Sequence, residues 1–414
     1  MVAPQQQPQL RKRLFRAIQL PMLCGFHYSA GTKRRRFAAD GTSSKISPTA
    51  QHVQKGTIMQ RKLLAAAVAA ACATPALAQV PAEIQVYGRV NVSVEHITVK
   101  NSSNTTTLPN DSTNELVDNS SRIGFRGNKE LTTGLKAIWQ VESRVKLDDG
   151  TGSTFSSRDS YAGLQGGFGT IRAGRSIGPV YYATYDYISL HNHDTGTSSD
   201  NLLDPTIFGN AGFMNNLLWY TTPKFGAFSA DVAYSFGPTG TSEARAAGLS
   251  DQPRYLGLVG AYDAGGLHAA VSYANTKDTS ALSPGVGNND TAMTIGALYD
   301  FKSFVLGALL EKAEHDVAGG GDSDRTYWRV SAMLPVGQHE FHVNYGMAGE
   351  TATDDGAKQY TIAYNYNITK TTKLYAFYTT VNNDTMGTYG FRQVSPAVPG
   401  ADFTSLAVGF RHNF

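Results

Sequence analysis

From residue 83 to the C-terminal Phe414 the chain alternates. In 83–95, Ile84, Val86, Val90, Val92 and Val94 share one parity, and Gln85, Arg89, Asn91, Ser93 and Glu95 share the other. The stretch 228–236 repeats the design, setting Phe228, Ala230, Val232, Tyr234 and Phe236 against Ser229, Asp231 and Ser235. So do 267–274 and 359–368. A period of two marks a strand with two different faces. No apolar run after residue 78 reaches the ~20 residues that a membrane helix needs. Sixteen such segments can be counted, at 83–95, 121–129, 134–146, 158–165, 170–175, 216–223, 228–236, 254–262, 267–274, 292–299, 304–313, 325–334, 339–346, 359–368, 373–381 and 405–414. Short connections (166–169, 224–227, 263–266, 335–338) alternate with long polar ones, beginning with 96–120 and 147–157. Membrane barrels are built this way, with tight turns at one rim and longer loops at the other. A soluble sandwich also alternates. It would not keep its long connections to one side. Nor would it gather aromatics at strand ends (Tyr87, Tyr220, Phe225, Tyr299, Phe301, Tyr375, Phe377, Phe410 and Phe414), as interfacial girdles require. The pattern predicts an all-β fold, a sixteen-stranded antiparallel transmembrane β-barrel.

One stretch breaks the pattern. Residues 176–213 have neither a helical nor a strand period, and they are too aromatic (Tyr181, Tyr182, Tyr185, Tyr187, Phe208, Phe213) for a disordered linker. A segment of this length without regular structure inside a compact domain is functional or disordered. The expectation is that it is the third long loop, folded inward to narrow a pore.

The N-terminal region changes the picture of charge. At 59–78, MQRKLLAAAVAAACATPALA has a basic start, an apolar core too short to span a bilayer, and an Ala-Leu-Ala cleavage site. Those are the parts of a secretory signal peptide. Such a peptide begins a chain, so Met59 is expected to be the true start and 1–58 a non-native extension. The rival reading takes Lys33-Arg34-Arg35-Arg36 as a targeting or nucleic-acid patch. Of the 36 Lys and Arg and 33 Asp and Glu, twelve and one precede Gln79; the 336 residues from Gln79 keep 24 against 32, a net of −8. Both cysteines, Cys24 and Cys72, also lie before Gln79, so the remaining barrel carries no disulfide.

Parity selects the inward-facing charges. With Ile123 and Phe125 toward lipid, Arg122 and Arg126 face the lumen. With Leu135, Ala137, Trp139 and Val141 outward, Lys136, Gln140, Glu142 and Arg144 face inward. An Arg or Lys on the lipid side at mid-membrane would cost ~2–4 kcal/mol. The loop would supply an opposing acidic wall through Asp186, Asp194, Asp200 and Asp204, each of which could equally be a solvated rim residue. Apposed charges of opposite sign in a narrow throat are poorly screened and give a transverse field.

These segments resemble a known family. IQVYGRV at 84–90, SRIGFRG at 121–127, GLKAIWQVES at 134–143, RDSYAGLQGGFG at 158–169, IRAGR at 171–175, YTTPKF at 220–225 and the terminal VGFRHNF at 408–414 resemble, in that order, the Gram-negative general porins of the betaproteobacterial type (Neisseria, Bordetella, Burkholderia). The resemblance covers the whole chain from Gln79. It implies a homotrimer in the outer membrane, among lipid and lipopolysaccharide, passing small hydrophilic solutes and ions. It also implies that Arg122 and Glu142 line the eyelet and that Arg158 lies near another basic eyelet position. A further basic residue expected just before the Tyr220 strand is missing, since Phe213-Met-Asn-Asn216 stands there. That departure argues against a strong anion preference. The C-terminal strand, ending in Phe414, resembles the signal read by the outer-membrane assembly machinery, and serves equally as a last lipid-facing strand.

Other chemistries find little support. His191-Asn-His193 with Asp194 offers two imidazoles without a third ligand at fixed spacing, so no metal is expected. Asp148-Asp149-Gly150 lacks the rest of a calcium loop. Neither G-x-S-x-G nor H-E-x-x-H occurs, and no catalysis or cofactor is expected. The expectation is a general-diffusion channel. The alternatives are a solute-specific channel on the same fold, suggested by the tyrosines of 181–187, and a plugged structural or adhesive barrel.

Overall fold

The computed structural model describes residues 83–101, 111–151, 154–191, 202, 212–237, 254–277, 289–316, 321–390 and 399–414. The strands follow in chain order as β1 (Glu83–Asn101), β2 (Asp111–Asp118), β3 (Arg122–Thr132), β4 (Leu135–Arg144), β5 (Ser160–Gly166) and β6 (Gly169–Ser176). Two short helices come next, α1 (Pro179–Ala183) and α2 (Tyr185–Ile188). Then come β7 (Met214–Thr221), β8 (Phe228–Ser235), β9 (Arg254–Ala264), β10 (Leu267–Lys277), β11 (Asn289–Asp300) and β12 (Val305–Asp316). The set ends with β13 (Ser323–Val336), β14 (His339–Ala348), β15 (Ala357–Asn367), β16 (Thr372–Asn383) and β17 (Ala401–Asn413). Each pairs antiparallel with its neighbours, and β1 pairs with β17, so the sheet closes on itself.

Seventeen segments make sixteen staves. Both β2 and β3 lie along β1, β2 opposite Val92–Val99 and β3 opposite Glu83–Arg89. Between them Asn119, Ser120 and Ser121 oppose only Val90 and Asn91, so the strand carries one extra residue, a β-bulge. Ser120 sits at φ 61, and the Asn91 backbone N–H donates to Ser121 Oγ (2.9 Å) while Asn119 N–H donates to Asn91 O (2.8 Å). The long polar connection expected at 96–120 is therefore mostly strand among the described residues; there Ile97, Val99 and Val117 lie on the inner face that Asn91, Ser93 and Glu95 share, so the alternation no longer sets apolar against polar in the sense of the rest of β1.

The two faces differ as the parity demands. On β1, Ile84, Val86 and Val94 are exposed to the outside while Asn91, Ser93 and Glu95 are buried on the inside. The apolar outer face suits lipid and the polar inner face suits a water-filled lumen. Three aromatics expected in the girdles point inward instead. Tyr87 donates to Glu142 Oε2 (2.9 Å), Tyr375 donates to Asn91 Oδ1 (2.9 Å), and Phe377 is buried beside Tyr375. Cross-strand glycines make room for the two tyrosine rings. A Cβ on Gly124 would lie 2.3 Å from Tyr87, and one on Gly409 would lie 2.2 Å from Tyr375. Tyr299, Phe301, Phe225 and Phe414 remain on the outside, as a girdle requires.

At the long-loop rim, Arg325 ties down the β14–β15 connection. Its Nη1 donates to Gly349 O and Asp355 O (both 2.9 Å), and its Nη2 donates to Asp355 Oδ2. Burial works to raise the Asp355 carboxyl, but the Thr351 backbone N–H and the guanidinium outweigh it and hold the group below its ordinary range. The stabilisation from such a depressed carboxylate is complete above its unfolded value of ~3.9 and is lost as pH falls through the folded value. The pair is partly exposed, so about 1 kcal/mol is at stake. Proteolytic nicking within 349–356 should therefore be slow near neutrality and accelerate in acid. Arg325→Ala should show the acid rate at every pH.

Candidate functional site

The inner wall of β3–β5 gathers the charged groups. Parity alone would have turned Arg122 toward lipid had β2 run on unbroken; the extra residue of the bulge restores it to the lumen, where its Nε donates to Ser120 O (3.0 Å). Arg122 then stands in register with Arg89 of β1 on one side and Arg144 of β4 on the other. One turn of the ladder away, Glu142 is buried and accepts from Arg158 Nε (2.5 Å) and from the Tyr87 hydroxyl. Arg122 Nη1 is 3.9 Å from the same carboxylate oxygen. Phe213 closes this corner, its ring centroid 5.0 Å from Arg158 Cζ and 5.4 Å from Arg175 Cζ. Glu142 thus holds two arginines whose positive charge exceeds its own.

Of the other expected residues, Arg126 faces the same lumen but lies toward the short-turn rim. Its Nε donates to Gln85 Oε1 (2.9 Å) and its guanidinium covers the Tyr87 ring at 4.7 Å. Asp186 is buried on α2. Asp194, Asp200 and Asp204 lie outside the described residues, as does His193. Asp159, the neighbour of Arg158, lies within electrostatic reach of Arg158, Arg175 and Glu142 but takes its hydrogen bonds from the loop. It accepts from Ser176 Oγ and the Tyr182 hydroxyl, and so pins the base of the loop to the start of β5.

The loop leaves the wall at Ser176, turns at Gly178 (φ 95) and enters α1 through Pro179, whose missing N–H costs nothing in a first turn. It then follows the inner face. α1 packs on β8–β10 and α2 on β11–β13. Glycines at 296 and 307 leave a shallow groove in which Thr184 and Ile188 sit. Tyr185 shares a hydrogen bond with Thr294, which donates to the buried Glu311 (2.8 Å). At the end of this run His191 meets the rings of His342 (5.2 Å), Tyr375 and Phe377. Burial, then the charges of His342, Lys373 and Arg411, keep its imidazole well below the ordinary histidine range. Counting staves, β12 is eight places from β4 in either direction, so α2, which carries the buried Asp186, lies on the wall opposite β4.

Several members of this inner wall carry no distinctive sequence signal. Arg89 is buried and pairs with Asn413 (Nε to Oδ1, 3.2 Å), and Arg175 donates from Nε to Ser157 O (3.1 Å). Lys373 and Arg411 stand in register on β16 and β17. Parity would have found Arg89, which shares its face with Asn91 and Glu95. Arg175 lies at the edge of a strand whose faces are too short to read.

The comparisons with known proteins agree with this geometry. A profile described as Gram-negative porin matches residues 65–386. The chain belongs to the Gram-negative porin family. It is 31% identical to the outer membrane porin protein 32 of Delftia acidovorans over 312 residues, 71% of this chain and 84% of that one. It is 25% identical to the major outer membrane protein P.IB of Neisseria lactamica over 367 residues, 86% of this chain and all of that one. Among solved structures, an anion-selective porin from Comamonas acidovorans superposes with a TM-score of 0.66 at 27% identity, covering 81% of this chain and all of that one. The porin is an integral outer-membrane barrel, and passage through it is passive diffusion of small solutes and ions.

Proposed function

We propose that the throat of this porin lies between the arginines of β3–β5 and the loop on the opposite wall, and that it favours small anions. The observation that carries this is the meeting of Arg122 and Arg158 at the Glu142 carboxylate, with Arg144 in register beside Arg122 and Arg175 sharing the Phe213 ring with Arg158, so that four arginines face the two carboxylates of Glu142 and Asp159. An anion in the throat meets more positive than negative charge there, in a setting where screening is weak. The net charge of the chain from Gln79 does not decide this, because charges more than a Debye length of ~8 Å from the throat are largely screened there. The absent basic residue at 213–216 makes the preference moderate.

The tyrosines that suggested a solute-specific channel are engaged in packing. Tyr181 and Tyr185 are buried, Tyr182 is bonded to Asp159, and Tyr187 is stacked on His268. General diffusion is the better reading, with no chemical step and no cofactor. Within the same reading, 59–78 is a signal peptide starting at Met59, residues 1–58 precede the true start, and the barrel assembles as a homotrimer in contact with lipid and lipopolysaccharide. Recording from protein purified from outer membranes, in a planar bilayer under a potassium chloride gradient, tests this. Conductance should appear in steps of three with a zero-current potential on the chloride side. A potassium-side potential would overturn the anion preference, and silent inserted protein would mean a plugged barrel.

A further inference from the structure

The loop is held to the wall at one point by a histidine with oxygens on both sides. On β10, His268 Nδ1 lies 2.6 Å from Asp263 Oδ1, and its Nε2 lies 2.8 Å from the carbonyl oxygen of Ala183, the last residue of α1. A carbonyl oxygen can only accept, so Nε2 carries a hydrogen. The Asp263 carboxylate also takes Lys224 Nζ on its other oxygen (3.1 Å), which favours its ionised, accept-only form. Nδ1 then needs a hydrogen as well. The ring of Tyr187, in the next turn of the loop, lies face to face on the imidazole at 3.5 Å and 4° between planes. Two neutral rings disfavour an unshifted sandwich, whereas a cation over a tyrosine face is attracted to it.

We infer that His268, as an imidazolium, is the positioning residue that clamps the two helical turns of the loop to the barrel wall. Its one charge serves three partners: the Asp263 carboxylate on β9, the Ala183 carbonyl on α1 and the Tyr187 ring on α2. The charged and titratable groups around it are Asp263 and Lys224 on the wall side and Tyr187 and Asp186 on the loop side. Loss of the proton removes one of the two hydrogen bonds and the cation from the stack. A side chain that cannot donate to both oxygens frees the loop from the wall at this point.

The clamp bears on current only if 176–213 narrows the pore, so the test has one arm that does not depend on that reading. Nitrogen NMR of histidine-labelled protein should show both ring nitrogens of His268 protonated at about pH 6, assigned by loss of the signal in His268→Gln. A neutral ring there would overturn the inference. In planar bilayers at about pH 6, closures of His268→Gln should be about tenfold more frequent than those of wild type, the factor expected for one charge-assisted hydrogen bond. His268→Lys, which keeps the charge and can donate to both oxygens, should stay as quiet as wild type. Closures as frequent in His268→Lys as in His268→Gln would overturn the inference even if the Gln variant folds poorly. Two ring protons with currents unchanged in every variant would instead sink the constriction reading and leave the clamp standing.

Discussion

Arg158→Ala should cost the barrel about 3–5 kcal/mol, the penalty for breaking a buried ion pair from one side. The loss is not that of the contact alone. Glu142 stays buried with Tyr87 as a donor at 2.9 Å and Arg122 only at 3.9 Å, so its charge is left undercompensated. The Glu142 carboxylate can recover part of this by taking a proton or by drawing Arg122 toward it. Removing it as well should therefore restore stability: Glu142→Ala in the Arg158→Ala background should be less damaging than the sum of the two single changes, by a coupling of roughly 1–3 kcal/mol. The temperature at which the folded barrel shifts to its unfolded mobility on gels measures both. Additive effects would mean that the pair does not hold this corner together.

This corner is half legible in the amino-acid sequence. Parity is a physical constraint in a barrel, since each side chain meets either lipid or water, and it is enough to place Arg122, Arg126, Glu142 and Arg144 inside. It works there because the charges all fall on one face between apolar neighbours. It fails for Tyr87, Tyr375 and Phe377, because an aromatic near a strand end is acceptable on either face and composition cannot choose between them. Register chooses, through Gly124 and Gly409 lying opposite the two tyrosines. The strand at 111–118 is hidden in a polar connection for a related reason: Ser112, Asn114 and Asp118 face outward near the rim, where no apolar face is demanded. The bulge is invisible because a one-residue insertion leaves no signature beyond the change of parity between Leu116 and Ile123. The course of the loop cannot be read at all. It depends on a groove at Gly296 and Gly307, on His268 and on His342, residues far along the chain whose meeting is fixed only by closure of the barrel.

Arg122→Ala should carry the largest functional effect. The side chain is held by Ser120 O and lies at 3.9 Å from Glu142, so removing it deletes a positive charge and releases part of the glutamate's field into the throat at the same time. A unit charge ~8 Å from a passing ion contributes ~2 kcal/mol at an effective dielectric of ~20, and salt leaves about half of that. The chloride-to-potassium permeability ratio should therefore fall about fivefold, moving the zero-current potential toward potassium. Arg126→Ala is the matched control. It removes the same charge from the same face of the same strand, but Arg126 sits toward the short-turn rim over Tyr87, away from the Glu142 pair. If position in the throat decides selectivity, Arg126→Ala should shift the potential far less than Arg122→Ala. Equal shifts would show that the porin selects by the summed charge of its lumen, and the narrow point would then lie elsewhere than at Arg122 and Glu142.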